Sequence, residues 1–473
     1  MKLVELTNAG RTPELPLSIT LDKDNDLVIE NLLRTLPNQR YVAKANWQAK
    51  IVLAKLFVGS KANKHYQREL KGVNLLAQQQ INTPKLFAHQ ITEEGGYLLF
   101  EYLENSQTLD QQWQLFINQP LLNEQQKKVL QQALAAIAQL HLKGLWQQDL
   151  HLDNLLEQSG ILYWIDGDGI SVEKAGQALS INKVIANLAV FFAQLPPQLD
   201  DFLQEFVEFY QTQNITISLS VADLQQAIIK VRKWRVDNIL KKIRRDCTLF
   251  SVKNTANGFY GVVRTEEEIL APLLAEPDYY IDQGRFIKGF GTTNVADIII
   301  NGKHILLKRY NIKNFKHKLS RCWRPTRGWH SWQESFRLMM LGIPTAKPLA
   351  LLEERHCWMR GRAWLVTEYL EGPDLLTHLK PYENSRPPEA ELVALDNLFV
   401  SLIKHRISHG DLKGTNLFWV NNQWTLIDLD AVKQHKCIHS FKRAYAKDRT
   451  RFLRNWPKDS SLYRLFDERL PKI

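Results

Sequence analysis

QDLHLDNLL (148–156), followed by YWIDGDGI (163–170), is the stretch on which the reading of this chain turns, because it occurs twice. Its echo is GDLKGTNLF (410–418), followed by TLIDLDAV (425–432). Asp149 and Asp411 are 262 residues apart, and so are Asp166 and Asp428. In each copy an Asn (Asn154, Asn416) comes five residues after the first Asp. Twelve residues further on, the second Asp closes a short apolar run, YWI or TLI. With 24 Asp and 28 Asn in 473 residues, roughly 0.07 chance matches to that spacing are expected. Two matches at one offset mean two copies of one fold rather than an array of short repeats.

Working outward, the repeat extends upstream. Residues 83–104 contain TPKLFAHQ and LLFEYLE; residues 344–372 contain PTAKPLALLEE and LVTEYLEG. Each copy starts with a β-rich part. In the second, ADIIINGKHILLKRY (296–310) places two apolar runs around Asn-Gly, a strong hairpin signal. In the first, YVAKANWQAKIVLAKLFV (41–58) reads as a similar hairpin with a longer turn. A helix follows in each, over 64–80 and 332–342, with Gly342 suited to the second helix's end. Apolar residues at helical spacing over Leu130–Leu142 and Leu392–Ile403 lead to the Asp motifs. The expected fold class is α+β: two tandem kinase-like domains, 1–246 and 247–473, each with a β-rich N-lobe and a helical C-lobe. Residues 222–246 read as a helix with a basic face that closes the first copy. That face is either simply solvated or touches anionic lipid.

The motif residues suit phosphoryl transfer, which needs positioning, metal ions to neutralise phosphate, and a base for the incoming hydroxyl. Asp149 and Asp411 occupy the base slot. Asn154 with Asp166, and Asn416 with Asp428, are the hard oxygen donors a phosphate-bridging Mg²⁺ would take. A lysine that grips the nucleotide phosphates should lie on a strand and pair with a helix glutamate. Lys55 and Lys308 fit the strand slot, Glu69 and Glu334 the helix slot. In the second copy KGFGTTN (288–294) offers Gly289 and Gly291 for close backbone approach to phosphate. The first copy has no glycine from residue 11 to 58, so LPNQRYVAKANW must cover a nucleotide in another way or not at all. Lys413, two residues after Asp411, can meet the transferred phosphate; His151 holds that slot in the first copy. His409 precedes Asp411 as a brace for the loop, where the first copy has Gln147. Asp168 and Asp430 follow the metal Asp by two, either as second metal ligands or as parts of a hydrogen-bonded turn.

Charge divides the halves. The chain carries a net +11, all of it in residues 251–473, while residues 1–250 balance at zero. The second half is expected to seek an anionic partner. Between Lys308 and Glu334 it has 26 residues where the first copy has 14. The added NIKNFKHKLSRCWRPTRGWHSW (311–332) interleaves six Lys and Arg with Phe315, Trp323, Trp329 and Trp332. Such a stretch suits a membrane interface, a sugar-phosphate grip, or a surface loop with its aromatics tucked inward. KRAYAKDRTRFLRNW (442–456) could extend the same surface. No nucleic-acid motif accompanies the charge, so no nucleic acid is expected. The four cysteines are scattered and read as reduced thiols. No apolar run at the N-terminus suits a signal peptide, and the longest one, near Val184–Leu195, falls short of the roughly 20 residues that span a bilayer.

The run from LLKRYNIKNF through TEYLEGPDL, HGDLKGTN and LIDLDAV resembles the bacterial lipopolysaccharide core kinases, which include heptose kinases and Kdo kinases. The resemblance covers nearly all of 285–456 and, more loosely, about 40–170. It implies a protein-kinase-like fold, ATP and Mg²⁺ as cofactors, and a sugar hydroxyl of the lipid A–core as acceptor. It also implies a cytoplasmic protein, peripheral on an anionic inner-membrane surface. Lys308, Glu334, Asp411, Asn416 and Asp428 take the family's roles directly. The Asp-Leu-His-x-x-Asn of the first copy is similar to that of aminoglycoside and choline kinases, whereas its glycine-free loop leads to the expectation that the first domain is weakly active or regulatory. The rival expectations are a protein kinase, disfavoured because neither copy has an A-P-E-like motif, and a nucleotide-binding scaffold without turnover.

Overall fold

The computed structural model describes all residues except 23, 24, 118, 289, 290, 292 and 312–323. The fold is mixed α/β, and the chain divides into two compact units, Met1–Val231 and Arg232–Ile473. The division falls inside the helix Val221–Lys242, which covers most of the basic segment expected at 222–246.

In the first unit a six-stranded antiparallel sheet runs in the order Leu17–Asp22, Asn25–Leu36, Arg40–Trp47, Lys50–Phe57, Gly95–Glu101, Leu86–Thr92. Alternation sets its faces: Tyr41, Ala43 and Ala45 are buried on one side of their strand, so the same face meets the core along its length. The expected longer turn is corrected here. Trp47 pairs with Lys50, so Gln48-Ala49 is a two-residue turn, with φ of 49° and 59°. Both values match the type I′ geometry that Asn301-Gly302 adopts in the second unit, at 47° and 76°. The pattern was hidden because neither Gln nor Ala advertises a left-handed backbone.

The helix Ala62–Gln78 lies beside the sheet, with Glu69 and Gly72 on its buried side. A second core, built from Glu124–Leu142, Ile181–Phe192 and Leu203–Gln213, is purely helical in its main elements. Asn123 caps the first of these helices by accepting from the backbone N–H of Gln125 and Gln126.

The second unit repeats the plan. Its seven-stranded antiparallel sheet is ordered Phe250–Asn254, Gly258–Val263, Pro348–His356, Met359–Glu368, Lys303–Tyr310, Thr293–Ile300, Arg285–Lys288. The helix Arg327–Met340 follows, capped by the Thr326 hydroxyl. Trp329 and Trp332 lie on its buried side and pack edge-on against Phe259, Phe250 and Phe336. Of the three readings the sequence left for these aromatics, a membrane, a sugar or an inward tuck, Trp329 and Trp332 follow the inward one. Phe315 and Trp323, with Lys313, Lys316, Lys318 and Arg321, lie outside the described residues. Helices Glu389–Lys404, Ile438–Leu453 and Ser461–Arg469 form the helical core.

Candidate active site

In both units a short antiparallel hairpin lies between the Asp–Asn loop and the second Asp. Leu155–Gln158 pairs with Ile161–Trp164, and Leu417–Val420 with Gln423–Leu426. The hydrogen bonds that shape the loop recur at the 262-residue offset. Ile165 N–H donates to Asn154 O at 3.1 Å, and Ile427 N–H to Asn416 O at 3.0 Å. Thr83 Oγ1 donates to Trp164 O and Thr345 Oγ1 to Leu426 O, each at 2.9 Å. The backbone itself thus draws the Asn of each motif next to the strand end that carries its second Asp.

Around this shared frame the side chains differ. In the first unit Lys55 pairs with Glu69, as the sequence suggests, and also donates to Ile165 O at 3.0 Å. Glu69 is fully buried and accepts from Gly167 N–H at 3.1 Å and Asp168 N–H at 3.2 Å. Arg40 reaches the same group, 3.7 Å from Glu69 and 3.9 Å from Asp168. It comes from the glycine-free segment, so this hairpin contributes a cation where backbone amides were sought. Asp166 has no ion pair or hydrogen bond to its carboxylate among the described residues. Burial alone would raise its pKa, but Lys55, Arg40 and Arg34 outweigh that and hold it below the usual carboxylate value. Asp149 is exposed, and Asn154 Oδ1 accepts from His151 N–H at 2.9 Å. Asp168 binds Arg68 at 2.9 Å.

In the second unit the expected Lys308–Glu334 pair is absent. Glu334, 4% exposed, is held by Arg337 at 2.8 Å. Lys308 instead donates to Asp428 Oδ1 at 2.5 Å and Asp430 Oδ1 at 3.1 Å. The reason is register. Both helices close with the same hydrogen bond, Ile81 N–H to Leu76 O and Ile343 N–H to Leu338 O, each 2.9 Å, again at offset 262. Counted from that shared end, Glu69 corresponds to Ser331, and Glu334 lies one turn later, opposite Gly72. Sequence order alone could not choose between two polar residues on one helix face. Burial alone would lower the pKa of Lys308, but Tyr310, Asp430 and Asp428 overcome it and leave the ammonium raised and charged. Asp428 takes a left-handed backbone, φ 59°, where Asp166 is extended at −122°.

Asp411 is partly covered. Arg451, from the helix Ile438–Leu453, pairs with its Oδ1, and Lys413 stands 3.5 Å from Oδ2. Asn416 Nδ2 donates to Asp411 O at 2.8 Å. His409 is fully buried and bridges the loop: its Nε2–H donates to Ile427 O at 3.0 Å, and Nδ1 accepts from Asp411 N–H at 3.4 Å. Burial lowers its pKa and keeps it neutral, which this pair of bonds requires. Gln147 does the corresponding work in the first unit, donating to Asp166 O at 2.8 Å. Asp448 was missed by the sequence reading. It accepts from His409 N–H at 2.6 Å and Gly410 N–H at 2.9 Å, and so clamps the loop. It sits amid the basic run 442–456, where only the tertiary structure separates its role from a surface charge. Gly291 has open space around it, and Gly289 lies outside the described residues.

The described residues contain no cluster of three or more metal-ligating His, Cys, Asp or Glu. Mg²⁺ on a nucleotide asks for less, one or two protein oxygens with phosphate supplying others. The ionised, unpartnered carboxylate of Asp166 beside Asn154 fits that demand. Asp428 beside Asn416 has the same donor types, with Lys308 already on the carboxylate.

Residues 282–460 match the model of the Lipopolysaccharide kinase (Kdo/WaaP) family. The family implies ATP-dependent phosphotransferase activity. No curated protein matches the chain. A solved structure to which it is similar, "WaaP in complex with acyl carrier protein", aligns over 37% of this chain and 73% of its own, at 16% identity and a TM-score of 0.29. Among the described residues no helix is long and apolar enough to cross a membrane.

Proposed function

We propose that the chain is two kinase-like domains in tandem and that the second transfers a phosphoryl group from ATP to a heptose or Kdo hydroxyl of the lipopolysaccharide core. The family match over 282–460 carries this reading. Asp411 accepts the proton of the acceptor hydroxyl, Asn416 fixes the loop, Lys413 faces the transferred phosphate, and Lys308 grips the donor. Asn416 with Asp428 would hold Mg²⁺, which neutralises phosphate charge when bound; Asn154 with Asp166 would do so in the first unit. The basic second half suits a phosphorylated acceptor at an anionic inner-membrane surface.

The test is phosphate transfer from radiolabelled ATP to purified core lipid, with mass spectrometry of the product. Asp411→Asn is expected to lower turnover by about 10²–10⁴. Full activity in Asp411→Asn with loss in Asp149→Asn would reverse the assignment of the two domains. A second reading is favoured by one observation: Asp411 and Asp428 both carry cations, whereas Asp149 is exposed and Asp166 has no ion pair among the described residues. On that reading the first unit turns over and the second is a nucleotide-binding scaffold. ATP binding by the second site without transfer to authentic acceptor would support it.

A further inference from the structure

We propose that in the second unit Asp430 replaces the helix carboxylate as the anchor of Lys308, which makes it a positioning residue for the nucleotide; this rests on the nucleotide-binding reading above. The register of the two helices puts Ser331 where the first unit has Glu69. A serine is uncharged and too short to reach a lysine the way glutamate does, and Glu334 is one turn away on Arg337. The missing carboxylate is supplied from the loop instead. Asp430 Oδ1 accepts from Ser331 Oγ at 2.8 Å, Tyr310 OH at 2.7 Å and Lys308 Nζ at 3.1 Å, and Oδ2 faces Arg327 at 3.7 Å.

The same loop position works differently in the first unit. There Asp168 turns to Arg68 and Arg40, and Glu69 holds the lysine. The two units have exchanged the source of the anchor: helix in one, loop in the other. Ser331 has become the residue that orients the new anchor. The arrangement gives Lys308 a fixed partner besides Asp428. Lys308 stands 2.5 Å from Asp428 and 3.1 Å from Asp430, so Asp430 is the carboxylate left to hold Lys308 when Asp428 turns to Mg²⁺.

The test uses the full chain carrying Lys55→Ala, so that ATP is read at the second site. Calorimetry measures ATP affinity in EDTA, and kinetics measure KM for Mg-ATP and for acceptor. Asp430→Asn is expected to weaken ATP binding and raise KM for ATP about ten-fold, while acceptor KM moves less than about two-fold. Adding Ser331→Glu to Asp430→Asn moves the carboxylate back to the helix, and ATP affinity is expected to recover. Unchanged ATP affinity in Asp430→Asn overturns the proposal, as does an equal loss in Glu334→Gln. Should Asp430→Asn melt early, the double variant decides. Recovered ATP affinity without recovered melting temperature supports the anchor; recovered melting temperature with ATP affinity still lost overturns it. A parent protein that binds no ATP removes the nucleotide reading itself, an outcome separate from all of these.

Discussion

Asp448 lies 4% exposed beneath the loop that carries Asp411, and burial pushes its carboxyl up to about 6 although two backbone N–H groups lower it. An acid with a raised folded pKa binds its proton more tightly in the folded state. Its contribution to stability is therefore greatest at low pH and falls as pH rises from the ordinary carboxylate value, about 4, towards 6. Asp448→Asn removes that dependence and also turns its amide N–H₂ towards one of the two backbone donors, at a cost of about 1–3 kcal/mol. Urea denaturation of both proteins should show the stability gap narrowing from pH 4 to 6 and levelling above. A gap that widens with pH would contradict the assignment. His409 acts in the opposite sense. Burial lowers its pKa, so its own contribution is present at neutral pH and lost as acid protonates it below its usual value near 6.5.

Among the elements, the helix Ala62–Gln78 and the turn Gln48-Ala49 are where packing and backbone can be tested separately. A Cβ on Gly72 would stand 1.8 Å from Gly167 O, a backbone atom that cannot swing aside. Gly72→Ala should push the helix off the Asp166 loop, destabilise the protein by about 1–3 kcal/mol and disturb the Lys55–Glu69 pair. A lowered denaturation midpoint together with weaker ATP binding at the first site is expected; an unchanged midpoint would show that the helix can move freely. Ala49, at φ 59°, pulls the other way. Ala49→Gly relieves its left-handed strain and should stabilise the protein by up to about 1 kcal/mol, read from the same denaturation curve. The hairpins at 41–58 and 296–310, the helix after each and the helices that lead to the Asp motifs were legible from alternation, helical spacing and one Asn-Gly. The Gln48-Ala49 turn was not, since its conformation is imposed by the pairing of Trp47 with Lys50.

For the whole molecule, the charge is uneven: all of the net +11 lies in residues 251–473. Part of the basic run 442–456 is spent within the fold, Arg449 on Asp467 and Arg451 on Asp411. The remainder should still draw the protein to anionic vesicles. Co-sedimentation with phosphatidylglycerol vesicles is expected at low salt and should fall steeply towards 0.5 M salt, as screening shortens the reach of each charge. Binding that ignores salt would point to an apolar anchor instead.

The sequence by itself determined the repeat at 262 residues, the Asp and Asn of each motif and the strand lysines, because these are local spacings that hydrogen-bonded loops preserve. Which carboxylate each lysine meets was decided only by the tertiary structure. Lys55 reaches Glu69 across 14 residues, whereas Lys308 reaches Asp428 and Asp430 across 120 and 122. A charge pair depends on where a helix face and a distant loop come to rest, and a register shift of one turn exchanges Glu334 for Ser331 without altering the apolar pattern. The same holds for Asp448, Arg451 and Arg40, whose roles arise from packing between segments that sequence spacing does not connect.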